Sequence, residues 1–206
     1  MNYIFPSNFV YWEKIPNHQK IKKTILNTID DDIKKNEFFY REKLKENWKC
    51  KCISNFFNKD NNFYETLSNK DFIKSIIWNP IDNMLKEMRD TVNLPIPEHS
   101  EIVNLWFNRY GPGEWQEIHE HSPVMNKSFI TYSGIYLLDL NEKNPTIFFD
   151  KIPARCWGNE CLWKNFYTEH MDEGTVIIFP AELLHYVNPC VNYRTTISFN
   201  IKSIFR

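Results

Sequence analysis

Residues 107–121 read FNRYGPGEWQEIHEH, and this stretch decides how the rest of the chain is read. Gly111-Pro112-Gly113 is a turn signal, and beyond it His119 and His121 stand one residue apart. On a β-strand, residues i and i+2 project from the same face. Two imidazoles on one face are half a metal site, because neutral imidazole suits iron, zinc, copper and nickel. The same pair also fits an exposed polar strand with two hydrogen-bonded histidines, so the choice rests on partners elsewhere in the chain.

The partners lie downstream. In residues 173–185, EGTVIIFPAELLH, a Gly turn, an apolar strand and a Pro break deliver His185 to the mouth of a strand pair. Nine residues later Arg194 opens the alternating strand RTTISFN. Arg194, Thr196, Ser198 and Asn200 share one face of it, and Ile197, Phe199 and Ile201 share the other. Taken alone, that polar face would look to solvent. With an arginine at its head and a histidine just before it, it reads as a wall that binds a carboxylate. Arginine grips carboxylates in a bidentate fork, at roughly 1.5–3 kcal/mol per charge-assisted bond.

At 206 residues, with 42% hydrophobic and 16% aromatic side chains, the chain is long and apolar enough for one domain with a real core. A formal charge of −1 gives no electrostatic reason for nucleic-acid or anionic-membrane binding. No apolar run approaches the roughly 20 residues of a membrane span. The opening MNYIFPSNFVYWEK lacks the basic and apolar regions of a secretory signal. Five cysteines, an odd number, then read as reduced thiols of a cytoplasmic protein. Cys50-Lys51-Cys52 and Cys156-x4-Cys161 total four thiols, but the first spacing is wrong for a zinc knuckle. Abundant Asn, Lys and Ile with only five glycines suggest an AT-rich genome, bacterial or viral.

The chain divides near residue 95. Before it, an edge strand is expected around Phe9–Trp12, and Ile21, Ile25, Leu26 and Ile29 mark one helix face. Asp30-Asp31-Asp32 predicts a break there, since carboxylates oppose the dipole at a helix C-terminus; a second helical stretch follows over 36–48. Residues 70–92 carry the best helical spacing, with a kink or restart at Asn79-Pro80. After the stiff linker Leu94-Pro95-Ile96-Pro97, eight short strands are expected: 102–110, 115–121, 131–140, 146–149, 165–170, 175–179, 184–187 and 193–204. That pattern predicts a β-sandwich or jelly roll, with the helices packed on one sheet. The aromatic-rich segment 151–169 reads as a lid or wall over a substrate site, or as a loop on the helical half. His18 and His99 read as exposed, and His170 as a surface or supporting residue.

RYGPGEWQEIHEH, SGIYLLDL, EGTVIIFPAELLHYVNP and YRTTISFN together resemble the Fe(II)/2-oxoglutarate-dependent oxygenases, in their bacterial and phage prolyl-4-hydroxylase-like branch. The resemblance covers residues 101–206, and four motifs in order are more specific than any one. It implies a mainly β chain with helices: a double-stranded β-helix (a cupin-like jelly roll) behind a helical extension over 1–95. The implied cofactors are Fe(II) and 2-oxoglutarate as co-substrate. By position, His119 and His185 would hold the iron, and Arg194 the distal carboxylate of 2-oxoglutarate with Thr196 beside it. Tyr110 and Tyr136 would line the co-substrate pocket, and Asn108 or Asn200 would add a hydrogen bond.

The sequence departs from that family at one point. His121 stands where the usual two-histidine, one-carboxylate set places its acid. Three neutral imidazoles leave the site at +2, which strengthens anion binding and makes the oxidised metal harder to reach. Glu117, two residues before His119, is the rival for the third position. The expected activity is hydroxylation of a C–H bond in a small-molecule or peptidyl substrate. The alternatives are a three-histidine dioxygenase that needs no keto acid, and a non-catalytic metal-binding protein. Neither the substrate nor the oligomeric state is written in the sequence.

Overall fold

The computed structural model describes residues 8–58, 63, 67, 70–121, 129–141, 146–151, 163–167 and 171–205, with backbone alone at 70, 71, 150, 151 and 163–167. His170, Cys156, Cys161 and most of the proposed lid segment fall outside them. Among the described residues, ten strands form two sheets. The six-stranded sheet runs β1 (Tyr11–Lys14), β8 (Thr175–Pro180), β5 (Tyr132–Leu140), β10 (Arg194–Ile204), β3 (His99–Tyr110) and β2 (Ile53–Ser54). The four-stranded sheet runs β4 (Gln116–His119), β9 (Leu184–Val187), β6 (Thr146–Lys151) and β7 (Trp163–Tyr167). Every pairing among these strands is antiparallel. Ile135, Leu137, Ile177 and Phe179 of the larger sheet meet Phe148 of the smaller in one buried cluster, which makes the fold a jelly roll.

The other face of the larger sheet is covered by helices. Ile21, Ile25, Ile29 and Ile33 from α1 (His18–Asn47), and Ile81, Met84 and Leu85 from α3 (Asn79–Val92), pack on it. They meet Leu105, Phe107, Tyr136, Val176, Ile178, Ile197, Phe199 and Ile201 in one core. β10 lies between β5 and β3; the helices cover the face with Ile197, Phe199 and Ile201, and the small sheet meets the other at Arg194 and Thr146. Arg194, Thr196, Ser198 and Asn200 are all buried. The solvent-facing alternative for that stripe is thereby excluded.

Two local expectations change and one holds. α1 is continuous through Asp30-Asp31-Asp32, because the apolar stripe carries on through Ile33, Tyr40 and Leu44 and each aspartate has a partner. Asp30 accepts from Arg109, Asp31 pairs with Lys34, and Asp32 accepts from Tyr40 Oη at 2.8 Å. His18 is not exposed: its ring meets Tyr136 Oη at 2.6 Å and Glu173 at 3.0 Å, with Lys22 on the same carboxylate. The restart at Asn79-Pro80 does occur, as a π-helical turn at Lys74–Trp78 between α2 (Lys70–Ile73) and α3. Pro80 has no N–H, and its ring would crowd the carbonyl four residues earlier in an α-helix, which the wider turn relieves.

Gly134 on β5 lies under the Phe199 ring, and a Cβ there would overlap that ring. Gly134→Ala should therefore cost stability at or above the upper end of the roughly 1–3 kcal/mol typical of overpacking. Urea denaturation followed by circular dichroism measures it. An unchanged midpoint would show that Phe199 has room to move.

Candidate metal centre

The register of the small sheet brings the first two histidines together. β4 and β9 pair so that His119 lies directly opposite His185, and their ring centroids are 4.2 Å apart. His121 lies just past β4, where its N–H donates to the Ala181 carbonyl at 2.7 Å. Its ring sits 5.1 Å from that of His119 and 5.0 Å from that of His185. One ring nitrogen from each histidine lies within 4.8 Å of the other two. Among the described residues this is the one group of His, Cys, Asp or Glu side chains that converges on a metal-sized space.

The hydrogen bonds say which nitrogens converge. His119 Nδ1 donates to the Glu117 carbonyl at 2.8 Å, and His185 Nδ1 donates to the Leu183 carbonyl at 3.0 Å. His121 Nδ1 meets Asn200 Oδ1 at 2.9 Å and Ser133 Oγ at 2.8 Å. An amide oxygen only accepts, so His121 also carries its proton on Nδ1. Each ring then keeps its lone pair on Nε2, the tautomer a metal ligand needs. Asn200 is held in turn by Ser133 and by its own donation to Asn104 at 2.8 Å. Gln116 also belongs to the set: its Oε1 accepts from Tyr110 Oη, and its amide nitrogen lies 3.4 Å from His119 Nε2.

Desolvation keeps the rings neutral. Burial lowers all three pKa values, that of His121 to about 3. The neighbouring imidazoles lower His121 and His185 further, while the bonds to Asn200 and Leu183 oppose the shift. Phe148 and Phe179 back His185, with centroids at 5.8 and 4.8 Å.

Arg194 stands directly across from Tyr110 in the β10–β3 ladder, its guanidinium 5.8 Å from the Tyr110 ring centre. Nη2 donates to Thr146 Oγ1 at 2.6 Å, and the side chain is 1% exposed. Its charge is close enough to His185 to help keep that ring unprotonated. Thr196 lies on the same buried face. Asn108 faces inward too; with its amide oriented to satisfy both ends, it donates to Ser54 Oγ at 2.8 Å and accepts from Trp106 Nε1 and Ser198 Oγ at 3.2 Å.

Two candidates are not brought to the site. Tyr136 points from the opposite face of β5 into the helical core, where its hydroxyl meets His18. Glu117 does not join the cluster, because a register irregularity between Gln116 and His119 breaks the simple alternation. Gln116 takes the inward place, and Glu117 lies near Cys50, where its charge partly opposes the lowering of that thiol's pKa by the bond with Cys52. Gln116, Ser133 and Thr146 escaped the sequence reading, since uncharged side chains in mixed strands give no periodic signal.

No family model and no curated protein matches the sequence. Solved structures do match the fold. A prolyl-4-hydroxylase from Pseudomonas putida aligns over 95% of this chain and 93% of its own, at 10% identity and a TM-score of 0.50. The viral collagen prolyl hydroxylase of Paramecium Bursaria Chlorella virus-1, solved as a 2OG complex, aligns over 94% and 97%, at 15% identity and 0.51. The non-heme alpha ketoglutarate dependent carbocyclase SnoK from nogalamycin biosynthesis aligns over 93% and 79%, at 9% identity and 0.55. The chain shares the fold of these enzymes. At such identities the likeness is one of fold, and the activities named are those of the other proteins.

Asn200→Leu removes the acceptor that fixes the His121 tautomer, and should weaken metal binding roughly 10- to 100-fold. A Mn(II) or Co(II) titration against a chelator reads this; unchanged affinity would mean Ser133 alone suffices. The lowered histidine pKa values also set the acid response of the metal-free protein. In the unfolded chain these rings take protons near 6.5, while the folded state holds them neutral. Their contribution is therefore present above pH 6.5 and is lost as pH falls through the lowered folded values, about 3 for His121. The urea midpoint should drop between pH 7 and 5.5, before carboxylates titrate, and less so in His121→Gln.

Proposed function

We propose that this protein is an Fe(II)- and 2-oxoglutarate-dependent oxygenase that hydroxylates a C–H bond of a small-molecule or peptidyl substrate. The observation that carries the reading is the convergence of three Nε2 lone pairs near a buried guanidinium. The Arg194 guanidinium is near enough to His185 to act on it electrostatically, which supports a metal and an arginine sharing one dicarboxylic keto acid. The donor set fits a divalent first-row metal, since neutral imidazole suits iron. Bound Fe(II) would let dioxygen act as the oxidant and 2-oxoglutarate as co-reductant, one oxygen atom going to the substrate and the other to succinate, with carbon dioxide released.

The chain's own part is binding, orientation and exclusion of water. His119, His121 and His185 hold the metal through Nε2, and the oxygens of Glu117, Leu183 and Asn200 keep their rings from turning. Arg194 receives the distal carboxylate, with Thr196 and Tyr110 on the adjoining wall. Thr146 braces the guanidinium from the small sheet. Burying a cation costs several kcal/mol, and a bound dicarboxylate offsets that cost by pairing with it. Phe148 and Phe179 close the inner side to water. Tyr136 has no part in this pocket.

The three-imidazole donor set favours one alternative, a dioxygenase that takes no keto acid. Arg194→Ala separates the two. Loss of two charge-assisted bonds should weaken 2-oxoglutarate binding to the Mn(II)-loaded protein roughly 100- to 10,000-fold, by calorimetry. Succinate release by the iron-loaded protein should fall in parallel. Metal binding without any 2-oxoglutarate binding in the unmodified protein would move the assignment to the alternative.

A further inference from the structure

Three aromatic rings close a circuit with His119 and His121. Trp48 lies 5.8 Å from His119, Phe56 5.2 Å from Trp48, Trp106 4.9 Å from Phe56, and His121 5.6 Å from Trp106. His121 returns to His119 at 5.1 Å. Phe57 buttresses the circuit edge-on, 5.3 Å from Trp48 and 5.0 Å from Phe56. Three of these rings come from outside the strands that hold the metal ligands. Trp48 is the extended C-cap of α1, fixed by its N–H to the Leu44 carbonyl at 2.7 Å. Phe56 follows β2, and its N–H donates to Ser54 Oγ at 3.3 Å. Asn55, between them, accepts from the Phe107 N–H at 2.9 Å and ties the segment to β3.

Exposure is uneven around the histidines. Phe148 and Phe179 behind His185 are wholly buried, whereas Trp48, Phe56, Phe57 and His119 are partly exposed, with Trp106, 3% exposed, buried behind Phe56. The side carrying Trp48 and Phe56 therefore opens toward solvent. No charged side chain belongs to the circuit. Aromatic faces carry the negative part of the ring quadrupole and repel anions. They would attract a cation, but a divalent metal and the Arg194 guanidinium oppose one, and the two carboxylates of bound 2-oxoglutarate would offset most of the pull of those charges on an anion.

We propose that Trp48, Phe56 and Trp106 form the wall of the substrate site, and that it takes an uncharged, apolar ring or branched group presenting a C–H bond to the metal. This rests on the oxygenase reading given above. The helical extension is then a part of the active site, with its own contribution to substrate choice.

The test uses the full chain loaded with Mn(II) and 2-oxoglutarate, without turnover. Paramagnetic broadening of solute protons is recorded by NMR for N-acetylpyrrolidine (a neutral ring), tetramethylammonium (a cation) and methanesulfonate (an anion), at matched Mn(II) occupancy. The ring protons of N-acetylpyrrolidine should broaden several-fold more than those of either ion. That broadening should fall roughly fivefold in Phe56→Ala, the loss of one aromatic contact, and persist in Trp48→Phe, which keeps a ring. Equal broadening of all three solutes, or no change in Phe56→Ala, overturns the inference and leaves the oxygenase reading standing. Failure of the unmodified protein to bind Mn(II), seen before any solute is added, overturns both.

Discussion

Three imidazoles packed side by side out of water are tolerated only if each N–H has an acceptor and none carries a charge. In this chain two backbone carbonyls and one amide oxygen take the three Nδ1 protons. Desolvation then keeps the rings neutral, and their remaining lone pairs have one direction left to point. Much of the architecture serves that condition. The β4–β9 ladder sets His119 against His185, and the bond to Ala181 holds the chain just past β4 so that His121 can turn inward. β10 carries Asn200 to His121 from the other sheet.

The two halves of the chain are tied by polar contacts as well as by apolar packing. At one end of α1, His18 and Lys22 converge on Glu173, whose other oxygen accepts from the Leu140 N–H at 2.9 Å. These bonds hold the Glu173 carboxyl down at a pKa of about 2 against a desolvation that raises it. Further along, Asp30 meets Arg109 and Arg41 meets Glu114. The helix thus runs over the sheet from the start of β8 to the turn before β4.

The strands were readable because most alternate, and the histidine and arginine positions were readable because charged and imidazole side chains are rare among them. What failed was face and continuity. Gly134-Ile135-Tyr136-Leu137-Leu138 is apolar on both faces, since β5 is covered by helices on one side and by the second sheet on the other. Nothing local therefore says which way Tyr136 points. Glu117 was misplaced because a single irregularity shifts every later residue to the other face. The aspartate run looked like a helix end because its partners, Arg109 above all, lie far away in sequence. The polar face of β10 could not be told from a wet one until its neighbours were known.

The cross-strand opposition of His119 and His185 has a further consequence. Separation between directly opposed residues in an antiparallel pair is a constant of β-structure, about 4.5–5.5 Å between Cβ atoms, maintained by the whole ladder. That bite does not adapt to its guest. His121, placed beyond the last rung and steered by side chains from the other sheet, is the arm that is free to adapt. Ions of different radius would thus be accommodated along one direction alone, and discrimination by size falls to the residues that steer His121, Ser133 and Asn200.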